Sequence, residues 1–264
     1  MEKLRIGFLN LMPNAKDYVA LVRRSLASVQ DGIALYPIRL KSREYRSDNE
    51  DGEPYFHFRE LVEQGSIDLL IVTGAPVERM PYDEIPYWPE LRDVFALAQQ
   101  RAIPVMGICF GGLAIGKYLG IEKRILEEKL YGVYRVPAAF DSARYFGADS
   151  SSINLAMSTW ALLDEATIDD ALRARLKSIA RHPSLGELML ATADDQFVMI
   201  LGHPEYTVDV LHKEWLRDMA KDMNYARQID ESDFIEMERL LVDGSRPIIA
   251  NWIRSHKLKQ RVAS

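Results

Sequence analysis

Apolar positions in the first 110 residues gather into four short, unbroken runs instead of alternating with polar ones. They are "RIGFLNL" at 5–11, "IALYPIRL" at 33–40, "DLLIVTGA" at 68–75 and "PVMGICF" at 104–110. Each is β-rich and of strand length, and continuous apolarity predicts strands covered on both faces. The stretches between them predict helices over 15–29, 56–64 and 87–101. In the last, Leu91, Val94, Phe95 and Ala98 recur at helical spacing, with Pro89 near the helix start. This alternation predicts an α/β fold, a mostly parallel sheet with helices on both faces.

Further along, "KSREYRSDNEDGEP" at 41–54 reads as a loop and "DDALRARLKSIARH" at 169–182 as a helix. "GELMLATADDQFVMILGH" at 186–203 reads as two strands joined at "ADD", a hairpin. From Asp209 onward the pattern is helical, with breaks near Gly244 and Pro247. No repeat, low-complexity tract or linker divides the chain, so a single domain over 1–264 is expected.

Composition narrows the function classes. Of 264 residues, 48% are hydrophobic and 27% charged, the balance of a globular domain with a real core. The net charge of -6 gives no reason to expect a nucleic-acid partner, although a local basic pocket for a phosphorylated cofactor stays compatible with it. A single cysteine cannot form an internal disulfide or a multi-cysteine zinc site and fits a reducing compartment. Neither a signal peptide nor a membrane-spanning run is expected, which points to a cytoplasmic protein without a membrane partner.

That cysteine sits in Gly107-Ile-Cys-Phe-Gly111, the G-x-nucleophile-x-G spacing of a strand-to-helix elbow. Such a turn holds its nucleophile in a strained conformation, and the glycines let neighbouring backbone pass close by. The side chain then projects over the carboxyl edge of the sheet, where open α/β folds bind ligands. The N–H of Phe110, at the start of the next helix, is the first oxyanion donor expected. Gly74 in "TGAP" at 73–76 is the second. The competing reading is a small buried residue with glycine neighbours.

A thiol nucleophile needs a base. Of the five histidines, His57 falls in an expected helix, His182 and His212 lie in charged sequence, and His256 is in the basic tail. Only His203, in "VMILGHPEY" at 198–206, follows a strand-like run. An extended segment puts His203 and Glu205 on the same side, so the carboxylate can hold the imidazole in its useful tautomer. The competing reading is a surface histidine in a turn. No other residues show metal-ligand spacing, so no metal is expected.

The elbow, the later His-x-Glu and the parallel sheet together resemble the class I glutamine amidotransferase-like superfamily, a flavodoxin-like fold, here with a helical C-terminal extension. A closer resemblance spans much of the chain. "FLNLMP" at 8–13, "RLKSREYR" at 39–46, "VTGAPVE" at 72–78, "YWPEL" at 87–91, "EEKLYGVY" at 127–134 and "LGHPEY" at 201–206 follow one another as in the MetA-type homoserine O-acyltransferases. That resemblance implies acyl transfer from acetyl-CoA or succinyl-CoA, as co-substrate and not resident cofactor, to the hydroxyl of L-homoserine in methionine biosynthesis. It makes Cys109 the acyl-accepting nucleophile, His203 the base and Glu205 its orienting carboxylate. It puts Lys129, Glu214 and Arg217 on the amino-acid substrate, and Glu78 at the position where glutamate goes with acetyl-CoA and glycine with succinyl-CoA. It also implies small-molecule partners and a homodimer.

The chain departs from the family pattern at Ala15, where a lysine is usual, at Leu113, where glutamine is frequent, and at Arg135-Val136, where Glu-His is usual. These changes are expected around the pocket and leave the acceptor open between homoserine and serine or a related hydroxy amino acid. Two other readings compete with acyl transfer: a glutaminase-type member of an amidotransferase complex, and a binding protein with an unused triad.

Overall fold

The computed structural model describes residues 3–12, 15–45, 55–139, 142–147, 151–244 and 247–263, and for 15–17 and 258–263 the backbone alone. Of the expected loop over 41–54, residues 46–54 lie outside the described residues. The strands are β1 (Leu4–Leu9), β2 (Ile33–Ile38), β3 (Leu69–Val72), β4 (Val105–Ile108), β5 (Lys123–Pro137), β6 (Ser152–Leu163), β7 (Leu176–His182), β8 (Gly186–Thr192) and β9 (Phe197–Ile200). The α-helices are α1 (Ala15–Ser25), α2 (Phe58–Glu63), α3 (Trp88–Gln100), α4 (Phe110–Leu119), α5 (Ala143–Phe146), α6 (Asp170–Arg173), α7 (Val208–Met219), α8 (Glu231–Gly244) and α9 (Ile248–Ala263).

Seven strands form one sheet in the order β2-β1-β3-β4-β9-β8-β7. The pairs from β2 to β9 are parallel, while β9–β8 and β8–β7 are antiparallel. Every residue of β3, β4 and β9 is buried. Because successive residues point to opposite faces, both faces of the sheet centre are covered. The four expected strands of the first half are therefore β1 to β4. The helix expected over 15–29 ends at Ser25 and gives way to a 3₁₀ segment, Ala27–Gly32.

The hairpin expected over 186–203 is the β8–β9 pair, and the C-terminal stretch from Val208 is helical, with α8 ending at Gly244, α9 starting after Pro247, and a further break between α7 and α8 that holds a 3₁₀ segment, Asn224–Gln228. The helix expected over 169–182 is a correction. Only Asp170–Arg173 is helical, and Leu176–His182 is β7, paired with β8. Leu172, Leu176 and Ile179 have helical spacing, but an open edge of the sheet takes the segment as a strand, through two irregularities in register.

A second, two-stranded antiparallel sheet of β5 and β6 had no counterpart in the sequence pattern. Its register slips between Ile125 (opposite Ala161) and Leu130 (opposite Thr159), so the segment before Leu130 bulges out of the ladder. An isolated bridge joins Ala156 of β6 to His203. Among the described residues, no helix is long and apolar enough to cross a membrane.

Candidate active site

Cys109 stands between the last residue of β4 and the first of α4, at φ 52° and ψ −114°. That conformation costs a non-glycine residue about 1–3 kcal/mol, so the surroundings must impose it. They do so through the main chain. The Cys109 N–H donates to the Ile200 carbonyl at 2.7 Å. A Cβ at Gly107 would lie 2.3 Å from the Gly111 carbonyl oxygen, and one at Gly111 would lie 2.4 Å from the Val72 carbonyl oxygen. Only glycines allow β4, α4 and β3 to approach this closely. The thiol is 3% exposed and faces the carboxyl edge of the sheet.

His203 follows β9 on the neighbouring strand position and shares the pocket with Cys109; its Nδ1 is 2.7 Å from Glu205 Oε1. The two meet, but through a turn and not along an extended segment. The Tyr206 N–H donates to the His203 carbonyl at 3.3 Å, with Pro204 at the second turn position, where its fixed φ suits it. The segment is held from β6: the His203 N–H donates to the Ala156 carbonyl at 2.8 Å. A Cβ on Gly202 would sit 2.7 Å from that same carbonyl oxygen, so glycine permits the approach. The Tyr206 ring stacks on the imidazole at 3.9 Å between centroids.

Burial pushes the Cys109 thiol above its ordinary value, with His203 opposing and Glu78 and Glu205 adding to the rise. Burial pulls the His203 imidazole down, but the charges of Cys109 and Glu205 outweigh it and carry His203 well above its ordinary value. The imidazole, which lies beside the thiol and opposes the rise of its pKa, is placed to accept its proton. Thiol, imidazole and carboxylate in series can activate a nucleophile and hold the resulting cation.

Glu78 and Gly74 come from the loop after β3. The thiol donates to Glu78 Oε1 at 3.8 Å, and Glu78 is 8% exposed. Burial raises its carboxyl above the ordinary value, against its own backbone N–H and the charges of Lys129 and His203. A Cβ on Gly74 would sit 3.7 Å from the Cys109 Sγ and 3.5 Å from His203 Cε1, so its backbone borders the thiol sulfur. Phe110 is the first residue of α4, with its side chain in the core.

A cavity of about 550 Å³ opens over the thiol. Cys109, His203, Gly74, Glu78, Lys129, Glu214 and Arg217 all line it, and His203 is the one histidine among its described lining residues. Lys129, on the bulged part of β5, donates to Asp218 Oδ2 at 2.9 Å and lies 3.8 Å from Glu214 Oε2. Glu214 accepts from the hydroxyls of Tyr206 and Ser158. Arg217, half exposed, donates to Asp218 through Nε at 2.8 Å and Nη2 at 3.1 Å. It also lies 3.9 Å from Glu214 at helical i,i+3 spacing, so the helix-pair reading and the pocket reading are both met.

Asp218 was missed by sequence reasoning. Although burial opposes it, hydrogen bonds from Arg217, Lys129 and Tyr225 hold its carboxyl well below the usual carboxylate range. Tyr206 and Ser158 were missed as well. Tyr206 joins the two halves of the site, stacking on His203 and donating to Glu214 at 3.0 Å. Its adjacency to Glu205 was the signal available.

Three of the departures expected around the pocket, Leu113, Arg135 and Val136, are not among the residues that line it. Leu113 is buried in the core, and its carbonyl accepts from the Tyr82 hydroxyl at 2.9 Å. Arg135 reaches Ser152 and Val136 is fully buried; none of the three lines the cavity. The side chain of Ala15 lies outside the described residues.

Comparisons with known proteins give the family and the fold. A family model described as homoserine O-succinyltransferase matches residues 1–256. A homoserine O-acetyltransferase of Jannaschia sp. is 30% identical over 83% of this chain and 70% of its own length. One from Cereibacter sphaeroides is 28% identical over 97% of this chain and 81% of its own. Among solved structures, a glutamine amidotransferase from Thermotoga maritima superposes with a TM-score of 0.69 at 12% identity, covering 97% of this chain and 99% of that one. A glutamine amidotransferase from Methylobacillus flagellatus gives 0.60 at 14% identity, over 96% of this chain and 95% of that one. At such identity these two speak to the fold alone. With the family matched over nearly its whole length and the thiol elbow at its centre, the chain belongs to the homoserine O-succinyltransferase family and is an acyltransferase on a glutamine amidotransferase-like fold.

Proposed function

We propose that the protein moves an acyl group from acyl-CoA, acetyl-CoA ahead of succinyl-CoA, to the side-chain hydroxyl of L-homoserine through an acyl-cysteine on Cys109. The observation that carries this reading is the meeting, in one cavity, of Cys109 and a His203 held by Glu205 with Lys129, Glu214 and Arg217. A nucleophile chain alone suits many hydrolases. A cation and a carboxylate beside it suit an acceptor that brings an α-carboxylate and an α-ammonium.

In the first half-reaction His203 takes the Cys109 proton and the sulfur attacks the thioester carbonyl. The N–H groups of Gly74 and Phe110 receive the oxyanion. Collapse breaks the bond to the CoA sulfur, which leaves with the proton held by His203. Exchange between two thioesters is nearly isoenergetic, so the acyl-enzyme is accessible from either side. In the second half-reaction His203 takes the acceptor's hydroxyl proton, the alkoxide attacks the acyl carbon, and Cys109 departs and recovers the proton. Glu205 holds the imidazole and balances its charge throughout. Water must be kept out while the acyl-cysteine stands, or hydrolysis wins. Glu78, at the thiol, crowds and repels a donor whose acyl chain ends in a carboxylate.

A rate matrix tests this: acetyl-CoA and succinyl-CoA, each with homoserine, serine and glutamine. Acetyl-CoA with homoserine is expected to release CoA fastest and to give the O-acetyl product. CoA release at the same rate with and without acceptor sinks transfer in favour of hydrolysis. Glutamine hydrolysis without acyl-CoA replaces it with a glutaminase, and a serine optimum moves the acceptor.

A further inference from the structure

Glu205 has a second hydrogen-bond donor that comes from the far end of the chain. The hydroxyl of Tyr18, on α1, donates to Glu205 Oε1, the same oxygen that faces His203 Nδ1. Tyr18 is 3% exposed, and its ring stacks on Phe8 of β1, with centroids 6.4 Å apart and planes within 10°. The other carboxylate oxygen, Oε2, is buried with no hydrogen-bond partner among the described residues. A buried carboxylate is costly unless donors or cations compensate it. Here the imidazole and the Tyr18 hydroxyl supply that compensation on a single oxygen.

We propose that Tyr18 is a positioning residue of the catalytic chain: its hydroxyl fixes the rotation of the Glu205 carboxylate and draws off part of the charge that Glu205 presents to His203. The inference rests on the acyl-transfer reading for its kinetic consequence, though not for its geometry.

Burial, reinforced by the negative charge of Glu205 and by Tyr206, raises the Tyr18 phenol well above its ordinary value. It therefore stays protonated and can only donate to the carboxylate. The groups that face His203 are few: Cys109 from the elbow, Glu205 and Tyr206 from its own turn, and Glu78 from the loop after β3. Lys129 acts on this set through Glu78. Tyr18 reaches Glu205 from α1, is not among the residues that line the cavity, and senses the charge of Cys109 only weakly beside that of Glu205. The chemistry calls for such a moderator. A bare buried carboxylate would make the imidazolium too stable, and His203 would then be a poor base for the acceptor hydroxyl.

Tyr18→Phe removes the hydroxyl and keeps the ring, and Phe8→Leu loosens the stack but keeps the hydroxyl. In Tyr18→Phe, kcat for acyl transfer is expected to fall about ten-fold, the scale of one hydrogen bond to a charged group, with both KM values little changed. The acid limb of its pH–kcat profile should move up by about one unit or less, because His203 holds its proton to higher pH. The pH profile of Cys109 alkylation by iodoacetamide should move the other way, because a more stable imidazolium favours the thiolate. Phe8→Leu should lower Tm and leave both profiles in place. Wild-type profiles in Tyr18→Phe, or the same profile change in Phe8→Leu, overturn the proposal. The alkylation profile needs no acyl donor and is read on the folded fraction, so it tests Tyr18 even if the acyl-transfer reading fails or the variant is less stable.

Discussion

The two ends of the cavity are built by different physics. At the Cys109 end, position is set by the main chain: Gly107, Gly111 and Gly112 let β3, β4, β9 and α4 approach to distances that exclude a Cβ, and Cys109 is held at a positive φ. At the other end, position is set by charge: Lys129, Glu214, Arg217 and Asp218 hold one another, from a bulged strand and a helix remote in sequence. A backbone interlock tolerates almost no change. A charge network gives way in steps, and its failures depend on pH.

The largest expected effect tests the main-chain end chemically. Cys109→Ala should lower acyl transfer by about 10⁴-fold or more, as loss of a nucleophile does elsewhere. It should also abolish the acyl adduct seen by intact-mass measurement after incubation with acetyl-CoA. Retained turnover would remove the thiol from the reaction.

Gly111→Ala comes next and tests the interlock. Its Cβ would meet the Val72 carbonyl oxygen at 2.4 Å, so a stability loss of about 3 kcal/mol or more is expected by chemical denaturation. Near-wild-type stability would mean that β3 and α4 have room to part.

Asp218→Asn tests the charge end. Neutralising the nearer partner of a buried ion pair leaves Lys129 and Arg217 with Glu214 alone, at 3.8 and 3.9 Å. The acceptor KM should rise about ten-fold, the scale of one charge-assisted hydrogen bond. Formation of the acyl-enzyme in a burst experiment should survive. Asp218 has a depressed pKa, so its contribution to stability is complete above the ordinary carboxylate value and lost as pH falls through its own. Tm of the wild type should thus fall more steeply in acid than Tm of Asp218→Asn. Equal acid slopes, or equal damage to acylation and to acceptor KM, would erase the distinction between the two ends.

The smallest effect is expected where the ends meet the donor. Glu78→Gly should raise the succinyl-CoA to acetyl-CoA rate ratio several-fold, on the scale of removing one repulsive contact. An unchanged ratio takes Glu78 out of donor choice.

The same contrast explains what was legible in the sequence. Backbone-built features leave local marks: Gly107-x-Cys109-x-Gly111, "TGAP" after β3, and continuous apolar runs for β1 to β4 all read directly. His203 and Glu205 were readable as a pair, but the turn that joins them was not, because Pro204 suits both an extended approach and a turn. The β5–β6 hairpin left no such mark. Six of the fifteen residues of β5 are exposed, charges crowd "KRILEEK", and the bulge breaks the two-residue period that would announce a strand. The segment of β7 predicts a helix because Leu172, Leu176 and Ile179 recur at helical spacing, and pairing with β8 at the open sheet edge overrides that spacing. Asp218 and Tyr18 were invisible for another reason. Each acts through partners far along the chain, Lys129 for one and Glu205 for the other, and no local spacing encodes such a meeting.

The bridge between Ala156 and His203 bears on any attempt to re-engineer acceptor choice. The hairpin that carries Lys129, Ser158 and Trp160 into the cavity is the same one whose β6 backbone seats the imidazole. A mutational library confined to that hairpin would shift turnover along with selectivity. Arg217 on α7 has neither the Ala156 bridge nor the Tyr206 hydroxyl that ties Glu214 to the imidazole, and is the better place to begin.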